Sequence, residues 1–380
     1  MRILFISECF PDAEHPQYGI FIHQQAQALR ELGHTVEVVR PLRNGAPAPV
    51  AAEADETFGK VYSLPYRTLR YELLPQWAAR RAARDLTALL QKNRYDLVAV
   101  HITGDPILLV TVAVCRRLNI PVVAHYHGLN VWEEYTTHHP LRQTYYAARR
   151  RRALQHVQGL VGVSGKVTER IRSRIFTVPV QTVYNGVDIT HFTEKAPAED
   201  IFHIIGVGNL IEIKGFGYLL DAFARLHEEY PQTHLELVGD GVLRPALEAQ
   251  AATLGIAEAV TFSGKLPYQQ VAERMQHSDL FVMPSFYEAL GCVYLEAMGC
   301  HLPTIGVAGM GIDEIIIDGE NGLLVRPRDS DHLYEKMRFI LDNPTDAARM
   351  GEAGYATACR FTWSASGQAL VQFYEKCVKL

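Results

Sequence analysis

Short apolar segments alternate with longer segments of helical periodicity along this chain, and the alternation occurs in two successive series. Short buried strands separated by helices are typical of a doubly wound sheet, because parallel neighbours need a long crossover connection. In the first series the pattern predicts a helix over residues 20–32. It also predicts five strands: Arg2 to Ile6, Thr35 to Val39, Leu97 to His101, Pro121 to His125 and Gly159 to Ser164.

The second series repeats this arrangement after a polar stretch that contains a proline. A helix is predicted over Phe216 to Glu229. Five strands are predicted around it: Phe202 to Gly208, Thr233 to Val238, Val260 to Ser263, Leu280 to Met283 and Pro303 to Ile305. We therefore predict an α/β fold of two Rossmann-like domains, whose parallel sheets face each other across a cleft.

The same patterns place the domain boundaries. We predict an N-terminal domain at residues 1–190, a linker at 191–200 and a C-terminal domain at 201–363. The last amphipathic helix, residues 364–380, is expected to pack back on the N-terminal domain. Because open α/β sheets bind ligands beyond the carboxyl ends of their strands, functional residues are expected in the loops that follow the strands.

Composition favours a soluble protein of the cytoplasm. A membrane-spanning helix needs about 20 consecutive apolar residues, and no run approaches that length. The apolar run Ile3 to Ile6 is too short for a signal peptide and suits a first buried strand. None of the six cysteines forms a C-x-x-C pair, so we expect buried, reduced thiols.

Charge is distributed unevenly, although the net charge is only −5. The first 199 residues carry 24 Lys+Arg and 18 Asp+Glu, whereas the remainder carries 13 and 24. The basic half is where an anionic surface would dock. Two basic stretches occur there. One contains Arg67, Arg70, Arg80, Arg81 and Arg84, and the other is the run Arg149 to Arg152. Both are equally consistent with solvated helix faces and with contact at the inner face of a membrane. No pattern typical of nucleic-acid modules occurs, so no nucleic-acid partner is expected.

The densest group of chemically informative residues follows the predicted strand that ends at Met283. Glu288 lies in the loop, Gly291 permits a tight turn, a helix starts near Cys292, and Glu296 lies just over one turn into it. The free N–H groups at a helix start favour an anion. An ionised carboxylate accepts hydrogen bonds from two hydroxyls, so these glutamates can hold the diols of a sugar or a ribose.

A second group follows the strand that ends at Gly208. Glycine there allows close approach of a phosphate, and Lys214 supplies a positive charge to it. A dinucleotide-binding interpretation would need a third glycine where the chain has Ile211, so a nicotinamide cofactor is not expected.

Two further features raise the question of a metal. His125 and His127 follow a strand and could form a metal pair or pack in the core, but no third ligand is evident. The Asp-x-Asp sequence Asp329-Ser330-Asp331 opens a predicted helix, where N-capping explains it. We therefore predict no required metal and no cofactor.

The spacing of Glu288 and Glu296, followed by Ala-Met, Gly299 and Pro303, resembles the E-x7-E signature of glycosyltransferase family four. The resemblance implies the GT-B architecture and retention of anomeric configuration. It implies three catalytic residues: Glu288 on the sugar hydroxyls, Lys214 on the diphosphate and His127 facing the donor sugar. It implies that Glu296 holds the ribose, and it extends the donor site to these residues: Gly19, Gly208, Asn209, Leu290, Gly291 and Cys292.

Within that set, Gly19 matches the glycine whose backbone approaches the distal phosphate. Asn209 stands where the family often has arginine. The expected activity is metal-independent transfer of a sugar from a nucleoside-diphosphate sugar to an acceptor hydroxyl, on a lipid-linked or saccharide acceptor, in polysaccharide or glycolipid biosynthesis. Two alternatives remain open: a non-catalytic nucleotide-sugar-binding subunit, and a sugar epimerase of the same architecture.

Overall fold

The computed structural model describes residues 1–12, 15, 18–43, 52–55, 59–66, 80–101, 105–129, 140–191 and 200–379. These residues form two compact units, one of residues 1–185 with 363–380 and one of residues 186–362. The division therefore falls a few residues before the predicted boundary at 190. Most of the predicted linker, residues 192–199, lies outside the described residues.

The first unit is built on one eight-stranded sheet. Its strands are β1 Arg2–Ile6, β2 Thr35–Arg43, β3 Ala52–Asp55, β4 Gly59–Tyr66, β5 Leu97–His101, β6 Val122–Tyr126, β7 Gly159–Gly162 and β8 Val180–Thr182. They lie in the order β3-β4-β2-β1-β5-β6-β7-β8, and every pair is parallel except β3 with β4. The predicted strands are confirmed with shifts of a few residues, whereas β3, β4 and β8 were not predicted.

Helices connect these strands: α1 Ile20–Glu31, α2 Arg80–Lys92, α3 Asp105–Leu118, α4 Pro140–Leu154 and α5 Gly165–Arg172. Apolar side chains such as Phe5 on β1 and Leu29 on α1 meet in one buried core. The start of α5 is fixed by Ser164, whose hydroxyl accepts a hydrogen bond from the Val167 N–H.

The second unit contains a six-stranded, fully parallel sheet. Its strands are β9 Phe202–Val207, β10 Thr233–Val238, β11 Val260–Gly264, β12 Leu280–Val282, β13 Thr304–Val307 and β14 Leu323–Val325, in the order β11-β10-β9-β12-β13-β14. Its α-helices are α6 Phe216–Glu229, α7 Arg244–Thr253, α8 Tyr268–Gln276, α9 Cys292–Gly299, α10 Ser330–Asp342 and α11 Pro344–Ala358. The predicted α/β fold with two parallel sheets is confirmed.

The N-capping interpretation of Asp329-Ser330-Asp331 is also confirmed. The Asp329 carboxylate accepts a hydrogen bond from the His332 N–H at 2.9 Å and caps α10. This Asp-x-Asp sequence therefore has a structural role at the start of a helix.

The last helix, α12 Trp363–Val378, belongs to the first unit and packs against α1. A Cβ at Gly367 would lie 3.1 Å from Ala28 on α1, so glycine allows the two helices to approach closely. Phe373 of α12 packs on Gly159 of β7, where a Cβ would lie 2.7 Å from the Phe373 ring. The predicted C-terminal helix thus packs on the first unit, and residue 380 lies outside the described residues.

Each sheet reverses its strand order at one point, between β1 and β5 in the first unit and between β9 and β12 in the second. Ligands of open α/β sheets bind beyond the carboxyl ends of the strands at such points. Lys214 and Glu288 follow β9 and β12, so the fold brings these predicted residues to the reversal point of the second sheet.

The basic residues of the first unit differ in their exposure to solvent. Of the run Arg149 to Arg152, which lies on α4, Arg150 is buried, whereas Arg151 and Arg152 are exposed. Arg80, Arg81 and Arg84 are exposed on α2. Arg67 and Arg70 lie outside the described residues. No helix in the described part of the chain has the length and apolar character needed to cross a membrane.

The cysteines differ in exposure. All six lie among the described residues, and none forms a disulfide. Cys115, Cys300 and Cys377 are buried as predicted, but Cys359 is exposed because it follows the end of α11 at the surface.

Candidate active site

Two loops of the second unit carry the charged residues singled out by the sequence. We call residues 208–215 the β9 loop and residues 283–291 the β12 loop. The Phe286 N–H donates to the Ile213 carbonyl at 3.0 Å, and the Ser285 hydroxyl donates to the same oxygen at 3.0 Å. Because both bonds end on the residue before Lys214, the two loops are fixed to each other beside that lysine.

Gly215 explains why glycine follows Lys214. Its φ is +73°, in the left-handed region, and a Cβ there would lie 2.3 Å from the Pro284 carbonyl oxygen. Only glycine fits both the conformation and the space. The Lys-Gly pair therefore places the lysine where the β9 loop touches the β12 loop.

Lys214 and Glu288 form an ion pair between the two loops, through Nζ and Oε2. Their side chains are 18% and 16% exposed, so each charge is largely removed from water and is compensated by the other. Both retain some exposed surface, which leaves them open to a ligand. This pair is the principal charged feature of the reversal point.

The backbone around Glu288 is held from two sides. Gly291 has a φ of +78° and begins α9, and a Cβ there would lie 2.7 Å from the Tyr294 ring. The Gly311 N–H donates to the Glu288 carbonyl at 3.1 Å. A Cβ at Gly311 would lie only 1.7 Å from the Ala289 carbonyl oxygen, so this contact requires glycine. The β12 loop is therefore a rigid platform for Glu288.

Glu296 and Tyr268 form a second polar contact at this edge. The Tyr268 hydroxyl hydrogen-bonds the Glu296 carboxylate. Burial raises the pKa of Glu296 to about 7, and the bond from Tyr268 opposes that rise. Burial, the negative charge of Glu296 and that of Asp188 raise the pKa of Tyr268, so the phenol stays protonated and donates. Sequence reasoning missed Tyr268, which lies at the start of α8, far from Glu296 along the chain.

The remaining predicted residues of the second unit differ in what they offer. Asn209 is exposed. The atoms nearest to a Cβ at Gly208 would belong to Phe216 and Lys214 at 3.6–3.7 Å, which is ordinary contact, so the fold itself does not require glycine there. Leu290 is buried, which leaves only its backbone for a ligand. Cys292 is partly exposed at the first position of α9.

The two predicted residues of the first unit, Gly19 and His127, lie near each other. Gly19 precedes α1 with a φ of +71°, and a Cβ there would lie 2.3 Å from the Cys9 carbonyl oxygen. Phe21, two residues later, packs its ring 4.7 Å from the His127 ring. The first turn of α1 thus joins both residues at the carboxyl edge of the first sheet.

His127 has a neighbour that the sequence analysis did not identify. His101 ends β5 and is the register partner of His125 on β6, and its Nδ1 lies 2.8 Å from the His127 Nε2. The structure thus supplies a third histidine beside the pair for which no third ligand was found. Burial lowers the pKa of His127 to about 3 and that of the other two well below the ordinary value, so all three rings are neutral at physiological pH.

Two family models match the chain and together span most of both units. The model described as Glycosyltransferase Family 4 matches residues 19–191, and the model described as Glycosyl transferases group 1 matches residues 188–357. The chain belongs to glycosyltransferase family 4. The resemblance noted at Glu288 and Glu296 is thus confirmed at the level of the family.

This family 4 enzyme is similar along nearly its whole length to named glycosyltransferases. It is 24% identical over 393 residues to a glycogen synthase of Mycobacterium tuberculosis, covering 98% of this chain and 94% of the relative. It is 27% identical over 411 residues to an MMP alpha-(1->4)-mannosyltransferase of Mycolicibacterium hassiacum, covering 95% and 94%. The protein is therefore a glycosyltransferase.

A solved structure supports the fold. The crystal structure of Anabaena HepE in complex with UDP-glucose matches with a TM-score of 0.76 and 21% identity, covering 100% of both chains. The two parallel sheets of this family 4 enzyme thus have the GT-B type of architecture.

Proposed function

We propose that this glycosyltransferase moves a sugar from a nucleoside-diphosphate sugar to an acceptor hydroxyl with retention of anomeric configuration. The observation that carries the proposal is the Lys214–Glu288 pair at the reversal point between β9 and β12. A cation and a carboxylate held on adjoining rigid loops suit a ligand that has a diphosphate next to a polyhydroxyl group. HepE, whose fold is similar, was crystallised with such a compound.

Lys214 is assigned to the diphosphate. Negative charge grows on the diphosphate as the glycosidic bond breaks, and a fixed ammonium group stabilises that charge without reorganisation. The free N–H groups at the start of α9, near Cys292, add to this effect. Gly208 has room beside Lys214 for a phosphate to approach the backbone, and the exposed Asn209 can donate a hydrogen bond to it.

The two glutamates are assigned to hydroxyl groups. Glu288 orients the transferred sugar through its hydroxyls, and its pairing with Lys214 ties the sugar position to the phosphate position. Glu296 accepts hydrogen bonds from the ribose diol. The Tyr268 hydroxyl hydrogen-bonds the Glu296 carboxylate and so limits the orientation of that carboxylate.

Two residues of the first unit keep the roles implied by the family resemblance. The Gly19 backbone is assigned to the distal phosphate, and His127 to the donor sugar. As a neutral imidazole, His127 exchanges hydrogen bonds with hydroxyls without adding charge.

Bond changes in the proposed reaction occur on one face of the sugar. The bond from the anomeric carbon to the diphosphate oxygen breaks, and a bond from the same carbon to the acceptor oxygen forms on the same face. The acceptor proton passes to the departing diphosphate oxygen. Glu288 is not assigned as a covalent nucleophile, because its carboxylate is engaged by Lys214.

The acceptor is proposed to be lipid-linked or a saccharide, and the enzyme to work in the cytoplasm, at the inner face of the membrane. The exposed arginines of α2 and α4 support this location, although Arg81 and Arg84 already pair with Asp85. Sedimentation with vesicles of anionic lipid tests it. Binding that is lost when Arg151 and Arg152 are changed to Gln supports the location, and binding unaffected by the change contradicts the use of that helix.

The activity itself is tested with purified protein and a panel of nucleoside-diphosphate sugars, with water as the acceptor. We expect one donor to raise the Tm and to be hydrolysed slowly, because a ligand of the folded state stabilises it. NMR should show the released sugar first in the anomeric configuration of the donor.

Other outcomes of this experiment favour other assignments. Initial release of the opposite anomer contradicts retention. Donor binding with no turnover favours the non-catalytic subunit, and conversion of the donor into an epimer favours the epimerase.

A further inference from the structure

Three histidines meet at the carboxyl ends of two adjacent strands in the first unit. His101 and His125 lie opposite each other on β5 and β6, and His127 follows two residues after His125. Each ring offers one nitrogen to a set in which all three lie within 4.8 Å of one another. The pairing of β5 with β6 therefore brings His101 close to His125 and His127, which are distant from it in sequence.

Hydrogen bonds account for only half of the ring nitrogens in this group. His101 Nδ1 and His127 Nε2 share one bond at 2.8 Å, and the Tyr374 hydroxyl lies 2.7 Å from His125 Nε2. The other three nitrogens are buried and have no hydrogen-bond partner among the described residues: His101 Nε2, His125 Nδ1 and His127 Nδ1. A buried polar atom without a partner is costly, and a bound ion is one explanation for such a group.

The donor set of this group consists of three imidazoles, two of them fully buried. Imidazole nitrogen suits zinc and neighbouring transition metals, and three histidines leave a fourth position open in a tetrahedral site.

The surroundings also resemble the outer layer of a metal site. Tyr374 from α12 engages Nε2 of His125, which leaves the opposite nitrogen, Nδ1, for a metal. Phe5 packs 4.5 Å from the His101 ring and Phe21 packs 4.7 Å from the His127 ring. These contacts restrict the orientation of the rings.

We propose that His101, His125 and His127 bind one divalent transition-metal ion, for which Zn²⁺ is the best chemical match. The ion joins the ends of β5 and β6 and stabilises the first unit. It takes no part in the diphosphate chemistry assigned to Lys214.

Metal uptake by the full chain tests this proposal. The protein is stripped with a chelator and titrated with Co²⁺, whose visible absorption reports its coordination, and separately with Zn²⁺. We expect saturation at one ion per chain and a rise in Tm with Zn²⁺. His101→Ala and His125→Ala should each lose the uptake, whereas His277→Ala, which removes an exposed histidine of the second unit, should retain it.

Tyr374→Phe addresses the case in which the histidine variants do not fold. It keeps the buried ring and removes only the hydroxyl, so we expect Zn²⁺ affinity to fall about 10- to 100-fold. No saturable uptake by the wild-type chain overturns the proposal, and so does uptake that is unchanged in folded His101→Ala and His125→Ala. Uptake is measured without donor, so its failure leaves the proposed transferase function untouched.

Discussion

The carboxyl edges of the two sheets offer opposite chemistry at equivalent places in the fold. In the second unit the edge carries a Lys214–Glu288 ion pair that is partly exposed. In the first unit it carries neutral imidazoles, two of which are fully enclosed. The candidate anion site thus lies in the half of the chain with the acidic balance. We therefore propose that a fixed ammonium group and a helix start select the diphosphate site, and that the net charge of the domain does not.

Removing the carboxylate charge of the second unit should have the largest effect on activity. Glu288→Gln loses the ion pair and the fixed sugar position, so we expect kcat to fall about 100-fold while the affinity for a nucleoside diphosphate changes little. Steady-state kinetics and calorimetry measure the two quantities. Glu352→Gln, at an exposed site of the same unit, is the matched control and should keep wild-type kcat. Equal loss of affinity and kcat would contradict a role confined to the sugar.

The pH dependence of donor binding should come from the second unit alone. With a pKa of about 7, Glu296 is mostly protonated at pH 6 and mostly ionised at pH 8. We expect the affinity for a nucleoside-diphosphate sugar to rise about tenfold over this range, because the proposed role of Glu296 on the ribose needs the ionised carboxylate. The histidines of the first unit do not titrate here, since burial lowers their pKa values. Calorimetry at several pH values should show a flat profile for Glu296→Gln.

The pH dependence of folding stability tests the raised pKa of Glu296 independently of ligand binding. The pKa of Glu296 is raised above its ordinary value of 4.5, so ionisation opposes folding. The wild-type protein should lose stability as the pH rises from about 4.5 to about 7, and Glu296→Gln should lose less. If both proteins show the same change of Tm between pH 5 and pH 8, the pKa of Glu296 is not raised in the folded state.

Substitutions of glycine in the two units should have smaller effects, and these should differ between folding stability and ligand binding. Gly19→Ala and Gly215→Ala each force a left-handed conformation and a contact with a carbonyl oxygen at 2.3 Å, so each should cost at least about 1–2 kcal/mol. In a unit of this size, 1 kcal/mol corresponds to about 2–4 °C in Tm. Gly208→Ala should cost less than about 0.5 kcal/mol, yet weaken diphosphate binding. A large loss of Tm in Gly208→Ala would show that this glycine serves folding.

The strands around the candidate site could be predicted because each is a run of buried apolar residues between helical segments. The strands missed by the sequence analysis lie away from the reversal points. β8 and β14 are edge strands of three residues each, β3 is an antiparallel edge strand, and β4 lies between β3 and β2. Short edge strands depend on the neighbour that they pair with, which a single segment does not reveal.

The site was predictable only in part for a similar reason. Glu288 and Lys214 stand out because they lie in loops that follow apolar strands, and Glu296 because it lies in the helix that follows the second of these loops. The bonds that fix them join distant segments: Ser285 reaches the Ile213 carbonyl across 72 residues. His101 meets His127 only because β5 and β6 pair in one register. The one available signal was that both predicted strands end in histidine.

Lys214 is proposed to hold the diphosphate of the donor, and the proposed function depends most on this assignment. The most direct test compares the rise in Tm caused by a nucleoside diphosphate with that caused by the corresponding monophosphate, at saturating concentration and pH 8. The wild-type protein should be stabilised more by the diphosphate. Lys214→Ala should lose that difference, whereas Lys336→Ala, which removes a lysine paired with Asp318 in the same unit, should keep it. A Lys214→Ala protein that still prefers the diphosphate as strongly as the wild type would contradict this role of Lys214.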